Sequence, residues 1–357
     1  TGEGTQGKPL ATLAKAVEVA APGTVDNPTE IYVMSNLEMT APARYWDKHI
    51  SISSQGEGAP FKVTRGKFTG EAGDPARLGY NSAMIEVNGT TNQGVVSTLL
   101  LTNIIFDDDG INQGKYFIQA STRGSGTTDF GDLIDEDAIK NSDIVQDSMI
   151  AVYNGVGRIT LGNGAVLKDY GGMSAVRLSS GELVMQSGSV ITDDTVTNRE
   201  QGEVIQGEGI ADLYGPAGAI WMQGGTLVME KGSEITGIVG RSIFNEGGTA
   251  TINGTISGMV ADPKSSGNDN SDFWHGNNGA AIYLRSEASA TLGSTGVIDG
   301  EGKNPGWSTI CVSGYIDENG AVKHCTFTAD EGSKIKDISG GSSVIDVGGY
   351  SSRPGAD

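Results

Sequence analysis

Two aspartates seven residues apart in one Asp-rich segment have the residue type needed to cleave a glycosidic bond. Segment 258–278 reads GMVADPKSSGNDNSDFWHGNN and contains Asp262 and Asp269. Glycoside hydrolysis needs one protonated carboxyl that assists the leaving oxygen and one ionised carboxyl that attacks or activates water. Burial beside Trp274, together with repulsion between the two carboxylates, would separate their pKa values as this chemistry requires. We predict that Asp262 and Asp269 are catalytic, with an Asp-rich turn that has no chemistry as the alternative.

Aromatic side chains are the main candidates for contact with a sugar substrate. Sugar rings pack their apolar C–H faces against exposed aromatic rings, which are costly to leave uncovered in water. The alternative is that neighbouring loops cover these rings as a second, smaller core. The predicted substrate-binding residues, which include one guanidinium and one imidazole, are Trp221, Tyr283, Phe244, Arg177, Trp274, His275 and Trp307.

The elements that must position these residues are short repeats along the chain. Each unit contains an apolar strand, a Gly or polar turn, a Thr/Leu/Val strand, a second turn and a Val/Ile strand. The clearest copies are 174–190, 218–235, 242–256 and 280–298. The interval from Ile220 to Ile243 is 243 − 220 = 23 residues, which is too short for a propeller blade of about 40. The repeats predict an all-β fold over residues 1–357, a single-domain right-handed parallel β-helix of about ten coils.

Side-chain alternation within the predicted strands places several candidates on one outer face. Successive side chains of a strand point to opposite sides, so the residue after each inward position faces outward. The predicted inward positions in the first strand of each coil are Ile150, Val176, Ile220, Ile243, Ile282 and Ile310. The residues that follow them predict an outward ladder of Arg177, Trp221, Phe244 and Tyr283.

Three long insertions follow the third strand of their coils. They are 107–148, 193–217 and 258–278, with a shorter insertion at 300–307. Because the coils stack in register, we expect these loops to lie side by side along one edge, next to the ladder. Long ordered insertions on a rigid scaffold are usually functional, so the loops and the ladder together predict a cleft.

The N-terminal segment predicts a helix that covers the first coil. Residues 9–21 place Leu10, Leu13 and Val17 at helical spacing, and Pro9 suits a first helical turn. An open end of a solenoid exposes unpaired strand edges, so a cap is expected there. A free amphipathic helix that contacts a membrane or a partner is the alternative.

Charge and hydropathy exclude several classes of partner. The chain has 24 Lys and Arg against 44 Asp and Glu, a net charge of −20, which repels nucleic acids and anionic membranes. No run of 18 apolar residues is present, so we predict no membrane insertion. Glycine supplies 55 of the 357 residues, about twice the usual share, which indicates frequent tight turns. We predict an oligosaccharide or glycan partner and an extracellular or bacterial cell-surface location.

Cysteine and acidic residues give little indication of a metal. Cys311 and Cys325 have neither CxxC nor His-rich spacing, which argues against a zinc site. The two cysteines form either a disulfide or two buried thiols. We predict that no cofactor is required. Calcium is the alternative, held by coil-corner acids or by an acidic run without EF-hand spacing. The corner acids are Asp107, Asp169, Asp193 and Asp337, and the run is Asp129, Asp132, Asp135, Glu136 and Asp137.

The start of the sequence carries a resemblance to a known superfamily. Segment 4–21, GTQGKPLATLAKAVEVAA, is followed by apolar strands at 31–33 and 50–52 and then by Gly-punctuated coils. This arrangement resembles the pectin-lyase-like superfamily of β-helix proteins over most of the chain. The superfamily includes polysaccharide lyases, glycoside hydrolases, tailspikes and adhesins, so the resemblance implies the fold rather than one activity.

The Asp pair carries a second, narrower resemblance. Asp–x6–Asp in a late-coil insertion is similar to the lacto-N-biosidase family of β-helix glycoside hydrolases. That resemblance implies that Asp262 is the acid/base, that Asp269 is the nucleophile and that the anomeric configuration is retained. Asp330 and Asp337 have the same spacing. Family members pair with an N-terminal helical domain that this sequence lacks, which implies a separate N-terminal or chaperone-like chain.

These features together predict an extracellular glycoside hydrolase that cleaves oligosaccharides with a pair of aspartates. The alternative function is a non-catalytic cell-surface adhesin or glycan-binding β-solenoid, because Gly/Thr-rich coils also recur in bacterial surface proteins. A lyase acting on acidic pectate would need a basic trough, which the net charge of −20 disfavours.

Overall fold

Hydrogen bonds between successive coils join the strands into three long sheets. The computed structural model describes residues 2–56, 58–66, 68, 83–89, 96–108, 148–153, 156–196, 218–261, 280–316, 320–341 and 343–349. Within these ranges the sheets, numbered 1 to 3 by their first strand, contain nine, nine and ten strands. Neighbouring strands pair in parallel, apart from one antiparallel pair near the C-terminal end.

The strands are short and recur in a fixed order along the chain. Sheet 1 contains β1 (Thr29–Val33), β4 (His49–Ser54), β7 (Ser97–Thr102), β10 (Gly157–Leu161), β13 (Glu182–Met185), β16 (Thr226–Met229), β19 (Thr249–Ile252), β22 (Ser289–Leu292) and β26 (Thr326–Ala329). Sheet 2 contains β2 (Leu37–Met39), β5 (Lys62–Arg65), β8 (Ile104–Asp107), β11 (Ala165–Lys168), β14 (Val190–Thr192), β17 (Glu234–Thr236), β20 (Thr255–Ser257), β23 (Val297–Asp299) and β27 (Lys334–Lys336). Sheet 3 contains β3 (Ala43–Trp46), β6 (Ile85–Asn88), β9 (Ile150–Val152), β12 (Val176–Leu178), β15 (Ile220–Met222), β18 (Ile243–Asn245), β21 (Ile282–Leu284), β24 (Ser308–Ile316), β25 (Val322–His324) and β28 (Ser343–Gly349).

One strand from each sheet makes one coil, and the described residues form nine such coils. Strand β25 lies outside this pattern because it pairs antiparallel with the end of β24. The architecture is the right-handed parallel β-helix predicted from the repeats.

The core is a column of apolar side chains inside the coils. In sheet 3, Ile220 pairs with Ile243 and Ile243 pairs with Ile282, and all three are fully buried. The predicted inward positions from Ile150 to Ile310 are therefore confirmed. On sheets 1 and 2 buried and partly exposed residues alternate, as expected for strands with one inward face.

A helix packs against the first coil, as the sequence predicts. Helix α1 (Leu13–Val19) buries Leu13 and Val17 in the core and lies against β3. The helix is shorter than the predicted span 9–21, because Thr12 is the N-cap and its hydroxyl accepts a hydrogen bond from the Lys15 N–H. In the part of the chain that the structure describes, no helix has the length and hydropathy needed to cross a membrane.

The opposite end of the column is less covered. Ile345 and Val347 of β28 occupy the inward register of Ile310 and Val312, yet they are 43% and 77% exposed. Ile310 and Val312, one coil earlier, are 0% and 9% exposed. The last described coil therefore leaves its core-facing residues largely in solvent.

The three corners of the coil differ in the length of their connections. From sheet 1 to sheet 2 the chain turns through short segments, such as 186–189 and 230–233. The long segments that follow β8, β14 and β20 all run from sheet 2 to sheet 3. Most of insertions 107–148, 193–217 and 258–278 lies outside the described residues, so the structure shows where these insertions begin and end and does not describe the predicted cleft.

Candidate functional site

The predicted ladder lies in register on the outer face of sheet 3. Arg177 pairs with Trp221, Trp221 with Phe244, and Phe244 with Tyr283, on strands β12, β15, β18 and β21. Cys311 of β24 continues the same row. The inward isoleucine that precedes each of these aromatic rings fixes its direction, because strand side chains alternate.

Most of the aromatic ladder is covered rather than exposed. Phe244 and Tyr283 are 0% exposed, and Trp221 is 7% exposed. Together with Met173 and Cys311, they form a second hydrophobic cluster outside the main column. The expectation that Phe244 and Tyr283 present an open platform to a sugar is therefore wrong, and the alternative of a smaller satellite core describes these two rings.

A buried arginine helps to cover the two rings. The Arg241 guanidinium carbon lies 5.1 Å from the ring centroid of Phe244 and 4.7 Å from that of Tyr283. The two rings stack with their centroids 5.3 Å apart. Burial lowers the pKa of Arg241 from its usual value, and the electron-rich ring faces offset part of the cost of burying this cation.

Arg177 is the most accessible member of the ladder. It is partly exposed, and its guanidinium carbon lies 4.4 Å from the Trp221 ring centroid and 5.2 Å from that of Tyr153. Arg177 Nε and Nη2 donate to Gln223 Oε1 at 3.2 and 3.0 Å. Ser179 Oγ donates to the same oxygen at 2.9 Å. These contacts hold the guanidinium in one orientation.

A second row lies beside the ladder, at the residue that directly follows each of strands β9, β12, β15, β18 and β21. It consists of Tyr153, Ser179, Gln223, Glu246 and Arg285, and we call it the polar row. Glu246 of this row accepts two hydrogen bonds. Its Oε2 accepts from Nε1 of the ladder residue Trp221 at 2.8 Å, and its Oε1 accepts from Arg285 Nη1 at 3.1 Å. Both oxygens of this carboxylate are thus engaged. The polar row places fixed amide, hydroxyl and carboxylate groups beside the Trp221 indole ring, whereas Arg285 is 8% exposed.

Sequence reasoning missed the polar row, although the signal was present. Extending the period-two alternation by one step from Trp221, Phe244 and Tyr283 leads to Gln223, Glu246 and Arg285. Arg241 is different, because it precedes its strand and no periodicity relates it to the rings that it covers.

The predicted catalytic aspartates, Asp262 and Asp269, lie outside the described residues, as do Trp274 and His275. The ends of their segment are described. Ala261 N donates to Asn304 O at 3.0 Å, and Ala280 N donates to Ser308 O at 3.0 Å. The segment therefore leaves and rejoins the coils at the corner between sheets 2 and 3, directly before β21.

Trp307 is not part of the ladder. Its side chain is 51% exposed and it directly precedes β24. The second cluster of Met173, Trp221, Phe244, Tyr283 and Cys311 does not include it.

The corner acids are engaged in backbone and side-chain contacts. Asp169 Oδ1 accepts from the N–H groups of Asp194 and Thr195 at 2.6 and 2.9 Å, and Asp193 Oδ2 accepts from Val239 N at 3.0 Å. Asp107 was predicted to occupy the same corner position as Asp169, but it pairs with Lys168 in the strand register. The residue at the corner position of Asp169 is therefore Asp108. Among the described residues, no group of three or more His, Cys, Asp or Glu side chains is placed to hold a metal ion.

Cys311 and Cys325 are free thiols. Burial, with a smaller contribution from nearby Asp346, raises the pKa of Cys311 to about 12. Burial also raises the pKa of Cys325. Of the two alternatives for this pair, the structure has thiols rather than a disulfide.

Comparison with known proteins adds no family to this description. No model of a known protein family, no curated protein and no solved structure matches the chain.

Proposed function

We propose that this chain is an extracellular, carbohydrate-active β-helix that binds an oligosaccharide on the outer face of sheet 3. The observation that carries the proposal is the polar row beside Trp221 and Arg177. Ligand sites combine apolar or aromatic surface with a few fixed polar groups, and Gln223 and Glu246 are both held by hydrogen bonds to ladder residues. Because Gln223 Oε1 already accepts three hydrogen bonds, the amide contributes its N–H groups, which donate to sugar oxygens as guanidinium groups do, while carboxylate oxygens accept from sugar hydroxyls.

We further propose that the bound oligosaccharide is hydrolysed by Asp262 and Asp269, with retention of the anomeric configuration. The support is the residue chemistry of segment 258–278 and the position of its described ends, Ala261 and Ala280, at the start of sheet 3. The kinship to the pectin-lyase-like superfamily, and within it to the lacto-N-biosidase family, is part of this proposal and rests on sequence resemblance.

Product analysis across a panel of oligosaccharides tests the hydrolytic proposal. We expect Asp262→Asn and Asp269→Asn each to lower the rate of cleavage by about 100-fold or more, because each removes one carboxyl of the pair. The matched controls are Asp330→Asn and Asp337→Asn, which have the same spacing at the far end of the rod. Asn tolerates the positive φ of 53° at Asp337. Cleavage that is unchanged in both Asp262→Asn and Asp269→Asn would refute the assignment.

A second candidate function is glycan binding without catalysis. It is favoured by Glu246, the carboxylate of the polar row, because hydrogen bonds to Trp221 and Arg285 use both of its oxygens. Such a carboxylate is held in place and can still accept a further hydrogen bond from a ligand. If the parent protein binds glycans on an array and cleaves none of them, and if Gln223→Ala weakens the binding, this second function replaces the first.

A further inference from the structure

The guanidinium of Arg177 is partly exposed and lies close to two aromatic rings. Its ring contacts come from the neighbouring coils, with Tyr153 on the coil before and Trp221 on the coil after. Its hydrogen bonds go to the neutral side chain of Gln223. Every partner of Arg177 in the described ranges is therefore uncharged.

Four other described arginines have carboxylate partners, and the fifth, Arg241, differs from Arg177 in being 1% exposed. The pairs are Arg44–Glu86, Arg65–Asp108, Arg158–Glu182 and Arg285–Glu246. Acidic residues outnumber basic ones by 44 to 24 in the sequence, so an arginine that packs between two rings without a carboxylate is not explained by a shortage of acids. The arrangement leaves the positive charge of Arg177 available to a ligand.

The hydrogen bonds of Arg177 also determine which edge of the guanidinium remains available. Arginine has five N–H donors, one on Nε and two on each Nη. Gln223 Oε1 takes the Nε donor and one Nη2 donor. The two Nη1 donors and the second Nη2 donor remain, and the Nη1–Nη2 edge is the fork that binds a carboxylate through two parallel hydrogen bonds.

We propose that Arg177 selects oligosaccharides that carry a carboxylate, such as a uronic acid residue, and binds that group through its Nη1–Nη2 edge. This inference rests on the proposed glycan-binding function and adds the class of sugar. The net charge of −20 opposes binding of a long polyanion. The site therefore suits an oligosaccharide with an isolated acidic residue better than a continuous acidic polymer.

Matched ligands test this proposal directly. The probes are three versions of one oligosaccharide: with a terminal glucuronic acid, with its methyl ester, and with glucose in the same position. We expect the parent protein to bind the acid about tenfold more tightly than either neutral version, and we expect this preference to shrink as ionic strength rises. Equal affinities for all three probes would overturn the proposal while leaving glycan binding in place.

Substitutions assign the preference to one side chain. Arg177→Gln should abolish the preference for the acid, and Arg177→Lys should keep only part of it because an ammonium lacks the fork. Arg158→Gln is the matched control, since Arg158 is an outward arginine of sheet 1 that is already paired with Glu182. Thermal melting checks that the variants fold. If Arg177→Gln does not fold, the Lys variant and the methyl ester still decide the question.

The remaining outcomes separate this inference from the function on which it rests. If the parent protein binds none of the three probes and nothing on a glycan array, the proposed function and the inference fail together. If it binds a sulfated version more tightly than the carboxylate, the site recognises anions but the carboxylate assignment is wrong. If Arg177→Gln retains the preference for the acid, another residue carries it.

Discussion

Removal of the Asp108 carboxylate is expected to destabilise the β-helix strongly, because this side chain forms a fully buried ion pair. Asp108 Oδ1 accepts from Arg65 Nε at 2.8 Å, and both side chains are 0% exposed. Asp108 Oδ2 accepts from Gly171 N at 2.8 Å, and Arg65 Nη2 donates to Ser148 O at 2.8 Å. One carboxylate thus connects β5 with the segments that follow β8 and β11.

The magnitude follows from what Asp108→Ala leaves behind. The guanidinium of Arg65 stays buried without the carboxylate of Asp108, and the Gly171 N–H loses its acceptor. Removal of one partner of a buried ion pair costs about 3–5 kcal/mol of unfolding free energy. Arg65→Met should cost a similar amount. The double variant Arg65→Met/Asp108→Leu should cost less than the sum of the two, because it leaves no buried charge unpaired.

Urea unfolding followed by circular dichroism measures these effects, with thermal melting as a second readout. The control is Glu182→Ala, which breaks the Arg158–Glu182 pair, whose side chains are 47% and 30% exposed. Exposed pairs contribute about 0–1 kcal/mol. If Asp108→Ala shifts the unfolding midpoint no more than Glu182→Ala does, the reasoning about the buried pair is refuted.

Two further predictions concern the close stacking of coils and the thiols. Gly181→Ala should be poorly tolerated, since Gly181 has φ +82° and a Cβ there would collide with the carbonyl oxygen of Gly157. Gly302→Ala, at φ +69° in open space, should cost only about 1–2 kcal/mol, and equal melting temperatures for the two variants would contradict this. At pH 8, a thiol reagent should label partly buried Cys325 before Cys311, which is 2% exposed with a pKa of about 12. Mass spectrometry of labelled peptides measures the order, and faster labelling of Cys311 would be the contrary result.

Much of the fold could be predicted because a single physical requirement repeats along the sequence. Each coil must present an apolar residue to the column, so Ile220, Ile243 and Ile282 recur at the same position of successive units and pair directly in the structure. The cap helix was predictable for the same reason, through Leu13 and Val17. Its start was not, because the hydrogen bond from Lys15 N–H to Thr12 begins the helix after Pro9.

The candidate site was predictable only in part. Strand alternation determines which side of a sheet a residue occupies, so the ladder from Arg177 to Tyr283 was correctly placed on the outer face. Alternation says nothing about what covers that face. Arg241, which packs on both Phe244 and Tyr283, precedes β18 and is not predicted by strand alternation.

The burial of these two rings shifts the candidate binding surface along the rod. Arg177 on β12 is partly exposed and contacts Gln223 of the polar row, whereas Phe244 and Tyr283 on β18 and β21 are 0% exposed and Trp221 on β15 is 7% exposed. Segment 258–278 returns to the coils directly before β21, three strands from β12 in sheet 3. Strands in a sheet are about 4.8 Å apart, so this separation is about 14 Å along the rod. The candidate binding surface at Arg177 and the point where segment 258–278 rejoins the coils are therefore separate places along sheet 3.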